Sequence, residues 1–208
     1  MVRRAVSLVV LATVVGSLGL EAQRWEIAAI GGYQFGGRFK GASYTTGDDV
    51  FIDNLKVDEA FTFGLMADYA LSENVQVEAL AQRQATNISA QSSGEKLLDT
   101  KIHYYQLGFL FKIPSQWNPF ATFSGGATHF IPSEGRDNEW RGSLGVAMGV
   151  KPFFNDTWGV RIESRIMGTY IKDSDSVYCG PGGSDCFSYP STILMHQIDL
   201  VAGVVARF

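Results

Sequence analysis

The sequence has little charge and no cluster of basic residues. Of its 208 residues 18% are charged, and 17 Lys and Arg against 21 Asp and Glu give a net charge of −4. This balance argues against a nucleic-acid partner, which would require a basic patch. Disorder is also excluded, because 46% of the residues are hydrophobic and 12% are aromatic. Together with 23 glycines, this composition predicts one β-rich domain.

Beyond residue 22 the sequence lacks an apolar run long enough for a transmembrane helix, which needs about 20 residues. If the chain enters a membrane, it must do so as a β-barrel, whose strands satisfy one another's backbone polar groups. The first residues differ from the rest. Arg3 and Arg4 precede a short apolar run over 5–15, and the small residue Ala22 follows. This pattern predicts a signal peptide over 1–22 and a mature domain over 23–208.

Cysteine is scarce, and Cys179 and Cys186 are the two in the sequence. They flank the Gly- and Pro-rich segment 180–185, which can turn sharply. Exported proteins keep their disulfides, so we predict a local disulfide between these two residues. A metal site is much less favoured, because no further Cys or His is close in sequence.

The acidic residues within 48–53 lack the spacing of an EF-hand, and we interpret them as a solvated loop.

Histidine is scarce as well, and His103, His129 and His196 form no recognisable catalytic arrangement. The nearest candidate is His129 with Ser133 and Glu134, a combination that a lipid-modifying barrel enzyme could use. These residues lie where a strand enters a loop, a place where His and Ser are ordinary. We therefore expect no enzymatic activity, no cofactor and no metal.

What the sequence does have is alternation with a period of two, most clearly over 196–208. Alternate residues there form one apolar face, which comprises Ile198, Leu200, Ala202, Val204, Ala206 and Phe208. A period of two indicates a β-strand and not a helix. In water, such a face on an edge strand would promote aggregation, whereas in a closed barrel it can face lipid.

The same pattern recurs seven more times along the chain. Together with the C-terminal strand, this gives eight predicted strands, which are 25–35, 61–71, 75–84, 101–112, 119–131, 140–151, 158–171 and 196–208. The connections after the second, fourth and sixth strands are short, and those after the odd-numbered strands are longer. Short turns at one end and long loops at the other are typical of outer-membrane barrels, with both termini at the periplasmic end. Aromatic residues near both ends of the strands match two interfacial girdles.

Charged residues are concentrated on the opposite strand faces, which would point into the lumen. They include Asp68, Glu78, Arg161, Glu163, Arg165 and Asp199. An eight-stranded barrel is just wide enough for side chains to fill it. Buried charges are costly unless they are paired, so we predict a lumen closed by a salt-bridge network. The facing of strand 119–131 stays open, because Gly125 and Gly126 blur its alternation.

From strand number, strand order and the last strand, the mature chain resembles the small outer-membrane β-barrel proteins, represented by the OmpA transmembrane domain and OmpX. The resemblance implies an all-β, eight-stranded antiparallel up-and-down barrel in the bacterial outer membrane. Gly203 and Phe208 match the assembly signal of these proteins. The partners implied are outer-membrane lipid, lipopolysaccharide and the barrel assembly machinery, together with an unknown ligand of the loops.

The function expected from this resemblance is that of a small membrane anchor. The barrel would carry four surface loops that serve envelope integrity, adhesion or ligand contact. A narrow pore for small solutes and a lipid-modifying enzyme remain alternatives. A soluble barrel of the lipocalin kind is the rival fold, since alternation alone does not tell which face points inward.

Overall fold

We describe the protein from a computed structural model, in residues 24–46, 49–133, 138–171, 176–177, 187–188 and 193–208. The predicted signal peptide and both cysteines lie outside these residues. The described residues form twelve strands, and their bounds are β1 Trp25–Gly36, β2 Arg38–Thr46, β3 Asp49–Val57, β4 Ala60–Ala70, β5 Val75–Ala90, β6 Lys96–Lys112, β7 Pro119–Pro132, β8 Glu139–Val150, β9 Trp158–Ile171, β10 Ser176–Val177, β11 Phe187–Ser188 and β12 Ile193–Arg207. Within these ranges no helix is both long and apolar enough to cross a bilayer.

Eight of the strands close into an antiparallel ring in the order β1, β4, β5, β6, β7, β8, β9, β12. β1 closes the ring, because it pairs with β4 on one side and with β12 on the other. The predicted eight-stranded antiparallel barrel is therefore confirmed. We call the end with Trp25 and Arg207 the inner end, and the end with the β2–β3 hairpin the outer end.

The first long connection was predicted to be a loop. In the structure it contains the hairpin β2–β3. At Gly36 and Gly37 the chain bends with φ of +82° and +94°, values that favour glycine. β3 then takes over from β4 as the neighbour of β5, with Val57 opposite Ile88 and Leu55 opposite Ala90. The barrel wall thus continues beyond the outer end of β4.

The connection predicted as a loop over 85–100 is also mostly strand. β5 and β6 stay paired out to Ser89 and Lys96, which leaves a short turn over 91–95. The outward-facing positions near these strand ends are mostly polar. The apolar alternation on which the prediction relied therefore ends before the strands end. Backbone pairing needs no lipid-facing side chain, and it continues beyond the apolar belt.

The outside of the ring is apolar, and the inside carries the polar residues. Large hydrophobic side chains on seven of the eight barrel strands are exposed, up to 79% for Phe61, whereas β5 exposes alanines. Buried positions include Gln76, Glu78 and Arg161. In β7, whose facing the sequence left open, Thr122 and Thr128 are buried, so these residues point inward. This distribution is the reverse of that in a soluble lipocalin-like barrel, and it suits strands surrounded by lipid.

Candidate functional site

The inner half of the lumen is occupied by an ion network centred on Arg161. Its guanidinium is fully buried and contacts the carboxylates of three residues. Nη1 lies 3.1 Å from Asp68 Oδ2, Nη2 lies 2.6 Å from Glu163 Oε2, and Nη2 also pairs with Glu78. Glu78 is on β5 and Arg161 on β9, which lie on opposite sides of the ring. The pair therefore spans the whole width of the lumen.

Two further cations complete the inner part of this network. Arg165 Nη2 lies 2.6 Å from Glu78 Oε1, and its Nε lies 3.0 Å from Glu163 Oε1. Lys151 Nζ lies 2.8 Å from Asp68 Oδ2 and also pairs with Glu26. Each carboxylate thus has a cationic partner in hydrogen-bonding range, which is the condition for burying charge.

The network is balanced in charge. At the inner end Arg207 Nε lies 3.1 Å from Glu26 Oε1 and shares that carboxylate with Lys151. The cations are Lys151, Arg161, Arg165 and Arg207, and the carboxylates are Glu26, Asp68, Glu78 and Glu163. A balanced and mutually bonded set of this kind fills space without attracting a particular ion.

Asp199 is separate from the ion network, although the sequence placed it with the other lumen charges. Its Oδ2 accepts a hydrogen bond of 2.9 Å from Gln82 Nε2, and it forms no ion pair with any described residue. Lys151, in contrast, was not singled out from the sequence. It directly follows β8 and continues the alternation of the inward residues Ser143 and Ala147, so its position contained the signal.

An apolar cluster fills the outer half of the lumen. Its buried members come from β3, β5, β6, β7, β9 and β12, and they are Leu55, Val57, Ile88, Leu98, Ile102, Tyr104, Phe130, Met167, Ile171 and Met195. Leu55 and Val57 belong to the hairpin that extends the wall, so this extension has an apolar interior of its own. A smaller buried cluster around Met66 and Val205 lines the wall made by β1, β4, β5 and β12.

Uncharged polar residues form the boundary between the two halves. The hydroxyls of Thr128 on β7 and Thr169 on β9 lie 2.8 Å apart on the lumen side of β8. Tyr104 donates to Gln197, whose Nε2 lies 3.2 Å from Gln84 Oε1. Along the barrel axis the lumen therefore passes from ion pairs through uncharged hydrogen bonds to hydrocarbon.

The candidate catalytic residues do not assemble in the described part of the chain. His129 points outward and stacks on Trp140, with ring centroids 4.1 Å apart. Ser133 instead donates to the backbone oxygen of Asp99, at 2.9 Å, and Glu134 lies outside the described residues. Among those residues no group of three or more potential metal ligands occurs. The side chains of the acidic stretch 48–53 are not described.

Gly203 and Phe208, the residues of the suggested assembly signal, lie at the seam between β12 and β1. A Cβ on Gly203 would overlap the backbone of Ala29 and Ile30 on the neighbouring strand, so the close approach requires glycine. The amide of Phe208 donates to the carbonyl oxygen of Trp25 at 2.8 Å. Both residues therefore take part in closing the ring.

A closed barrel with an apolar outer surface and buried charges inside defines an integral outer-membrane β-barrel protein. Over residues 10–208 the chain matches the family described as outer membrane protein beta-barrel domain, and it belongs to this family. The protein is thus located in the bacterial outer membrane. Compared with curated protein sequences, the chain has no significant match.

Two solved structures support the same fold. Neisserial surface protein A is 13% identical, with a TM-score of 0.57 and coverage of 88% of this chain and 97% of that chain. The outer membrane protein OprG from Pseudomonas aeruginosa is 14% identical, with a TM-score of 0.56 and coverage of 89% and 97%. At this identity the similarity concerns the fold.

Proposed function

We propose that the protein is a closed, non-catalytic anchor for its outer sheet and loops, and that it does not conduct solutes. The observation that carries this proposal is that buried side chains occupy both halves of the lumen. The pair of Arg161 and Glu78 spans the inner half, and the apolar cluster around Ile102 occupies the outer half. A small solute crossing the barrel would have to displace both.

The outer end supplies a surface on which a loop ligand could bind. β2 and β3 are paired, and β11 lies beside β2, with Phe187 opposite Tyr44. The strand ends Pro132, Glu139, Ile171 and Ile193 lie at the same end of the barrel. Specificity for adhesion, ligand contact or envelope integrity would reside there, since loops on a rigid scaffold can vary without loss of the fold.

Conductance in a planar lipid bilayer tests the closed lumen. We expect the wild-type protein to give no steady unit conductance, and a known outer-membrane porin serves as the open control in the same bilayer. A steady unit conductance from the wild-type barrel would contradict the closed anchor and favour the narrow pore.

We further propose that the barrel assembly machinery recognises the last strand through Phe208. Replacing this residue by Ala removes a half-buried aromatic side chain and leaves the strand backbone intact. We expect less protein in the outer membrane of cells, but unchanged folding of the purified chain into detergent micelles. A deficit in both measurements would assign Phe208 to barrel stability instead.

Two proposals concern segments outside the described residues. Cleavage after Ala22 would be seen by N-terminal sequencing of the protein extracted from the outer membrane. A disulfide between Cys179 and Cys186 would be seen as a mass increase of two alkyl groups when alkylation follows reduction. If the signal peptide were not cleaved, the first residue would remain Met1. If the disulfide were absent, the two thiols would be alkylated before reduction.

A further inference from the structure

A row of cationic and aromatic side chains crosses the outside of the barrel near its outer end. Strand register places Phe63, Arg83, His103, His129 and Trp140 next to one another on β4, β5, β6, β7 and β8. Arg83, His103 and His129 each lie between two buried lumen residues, so they face away from the lumen. Phe63 and Trp140 are 57% and 56% exposed on the same surface. The row coincides with the outer aromatic girdle, the level at which lipid headgroups lie.

Two polar side chains in this row have a ring or guanidinium nitrogen without a hydrogen-bond partner among the described residues. Arg83 Nε and His103 Nε2 are both shielded from solvent and bond to no described residue. The Arg83 guanidinium lies over the Phe63 ring, 5.8 Å from its centroid, and His103 Nδ1 lies 3.3 Å from the Tyr105 hydroxyl. No described carboxylate forms an ion pair with Arg83 or with Lys101, the next outward residue of β6.

An apolar groove runs from this row toward the centre of the membrane. Its floor is Ala81, which lies between Leu65 on β4 and Tyr105 on β6. Ala79 continues the same small-residue track of β5 two positions farther in, and both alanines are exposed. Leu65 and Tyr105 form its walls at Ala81, and Leu107 continues the β6 wall at Ala79, where β4 presents Ala67. The groove therefore has the shape and polarity for one acyl chain.

On the other side of the row, toward the outer end, lies a polar cleft between β5, β6 and β7. Asn87, Thr100 and Ser133 line it together with Lys101. Its three carboxylates are engaged within the protein. Asp99 pairs with Lys96 at 2.7 Å, Glu59 pairs with Lys56 at 3.9 Å, and Asp58 accepts a hydrogen bond of 2.7 Å from the Ser89 hydroxyl. Uncharged donors and acceptors of this kind suit the hydroxyls of a sugar.

We propose that this face of the barrel binds a phosphorylated, acylated glycolipid of the outer leaflet, of the lipopolysaccharide class. Arg83 and Lys101 bind the phosphate with His103, an acyl chain lies over Ala81, and the sugar occupies the polar cleft. Arginine is well suited to this role, because its planar guanidinium donates two parallel hydrogen bonds to phosphate oxygens. The site requires the outer-membrane position of the barrel, but it is independent of whether the lumen conducts.

Native mass spectrometry of the whole mature protein in detergent tests the phosphate contact. The probes are lipid A with two phosphates and the same lipid A with both phosphates removed. We expect wild-type protein to bind the phosphorylated form about tenfold more tightly. The double variant Arg83→Gln, Lys101→Gln should lose this preference while it keeps the faster gel mobility of an unboiled barrel.

The matched control is Arg24→Gln, Lys112→Gln, which removes the same charge at the inner rim. It should keep the wild-type preference. Equal affinity of the wild-type protein for both probes, or an equal loss of preference in the control, would overturn the site. Phosphatidylglycerol is the third probe, and binding as tight as that of phosphorylated lipid A would show recognition of any anionic lipid and contradict the glycolipid assignment.

The acyl-chain groove has its own variant, Ala81→Trp, which fills the floor between Leu65 and Tyr105. Since Ala81 faces outward, the barrel interior is untouched. We expect weaker binding of both lipid A probes with the phosphate preference retained. Unchanged affinity in a folded Ala81→Trp protein would place the acyl chains elsewhere and contradict the groove. The conductance of the barrel does not affect these lipid-binding measurements. The glycolipid site and the closed lumen can therefore fail separately.

Discussion

The inner and outer halves of the lumen are filled in opposite ways. The inner half holds four cations and four carboxylates in one network around Arg161, whereas the outer half holds the cluster around Ile102. Both fillings exclude water, but by different physics. The ion network depends on completeness, because a charge left without a partner is costly. The apolar cluster depends on volume, because a lost side chain leaves a cavity.

This difference follows the position of each half along the barrel. The inner half is surrounded by a wall whose outside faces lipid. Its charged groups bond to one another, and Lys151 also donates to Gln76 at 2.9 Å. The outer half is surrounded by the extended wall that includes β3. Leu55 and Val57 of that wall pack inward, so the extension gains a hydrophobic core like that of a soluble sheet protein.

The largest effect is expected when the ion network loses its central cation. Arg161→Met leaves Asp68, Glu78 and Glu163 with one cation fewer, and breaking a buried pair costs about 3–5 kcal/mol. Urea unfolding in detergent micelles measures the loss. Lys96→Met is the control, since its ion pair with Asp99 is exposed and worth at most about 1 kcal/mol. Equal losses in the two variants would show that the inner half does not depend on a complete network.

A smaller loss is expected in the outer half. Ile102→Ala truncates a side chain that is 0% exposed in the apolar cluster, and such truncations cost about 2–5 kcal/mol. We expect a value of about 3 kcal/mol, since no charge is stranded and neighbouring side chains can relax into the space. The volume-conserving Ile102→Leu should cost less than about 1.5 kcal/mol in the same assay. If both substitutions cost the same, filled volume is not what stabilises this half.

The junction that directs β2 over the outer end offers a third test. Gly37 has a φ of +94°, and a Cβ there would lie 2.8 Å from the Cβ of Val57. We expect Gly37→Ala to cost about 1–2 kcal/mol, from backbone strain and this overlap. The loss should be accompanied by faster hydrogen exchange at the Val57 amide, which donates to the Gly37 carbonyl oxygen. Unchanged hydrogen exchange at the Val57 amide would show that the bend at Gly37 does not stabilise the outer cluster.

The smallest effect is expected at the boundary between the halves. Thr128→Val removes one partner of the 2.8 Å hydrogen bond to Thr169 and should cost about 1 kcal/mol. The double variant Thr128→Val, Thr169→Val should recover part of that loss, because no hydroxyl then remains unpaired. A double-mutant cycle on the free energy of unfolding measures the coupling. Additive losses would mean that the two hydroxyls act independently.

The sequence predicted the barrel well because lipid imposes a simple pattern. Where strands cross the apolar belt, as in 158–171, alternation located the strand and told which residues share a face. The prediction was wrong at 36–60 and 85–100, where the strands continue into water. There a polar strand and a polar loop look alike in sequence, and the pairing of Leu55 with Ala90 joins residues far apart in the chain.

For the lumen, the sequence indicated which residues face inward but not which of them meet. The alternation placed Arg161 and Glu163 on one face, and five of the six predicted charges do lie in the network. Contact between Arg161 and Glu78 depends on strand order and stagger, which bring opposite walls together. The sequence grouped Asp199 with these charges. The stagger of β12 instead places Asp199 next to Gln82.

The sequence by itself determined the class of this protein, because a period of two with one apolar face is what a lipid-facing strand requires. It also determined which side chains share a face on every strand except 119–131, since each strand can present only two faces. Tertiary structure alone decided the division of the lumen into a charged and an apolar half. It also decided the alignment of Arg83, His103 and His129 across three strands, since register depends on how the ring closes.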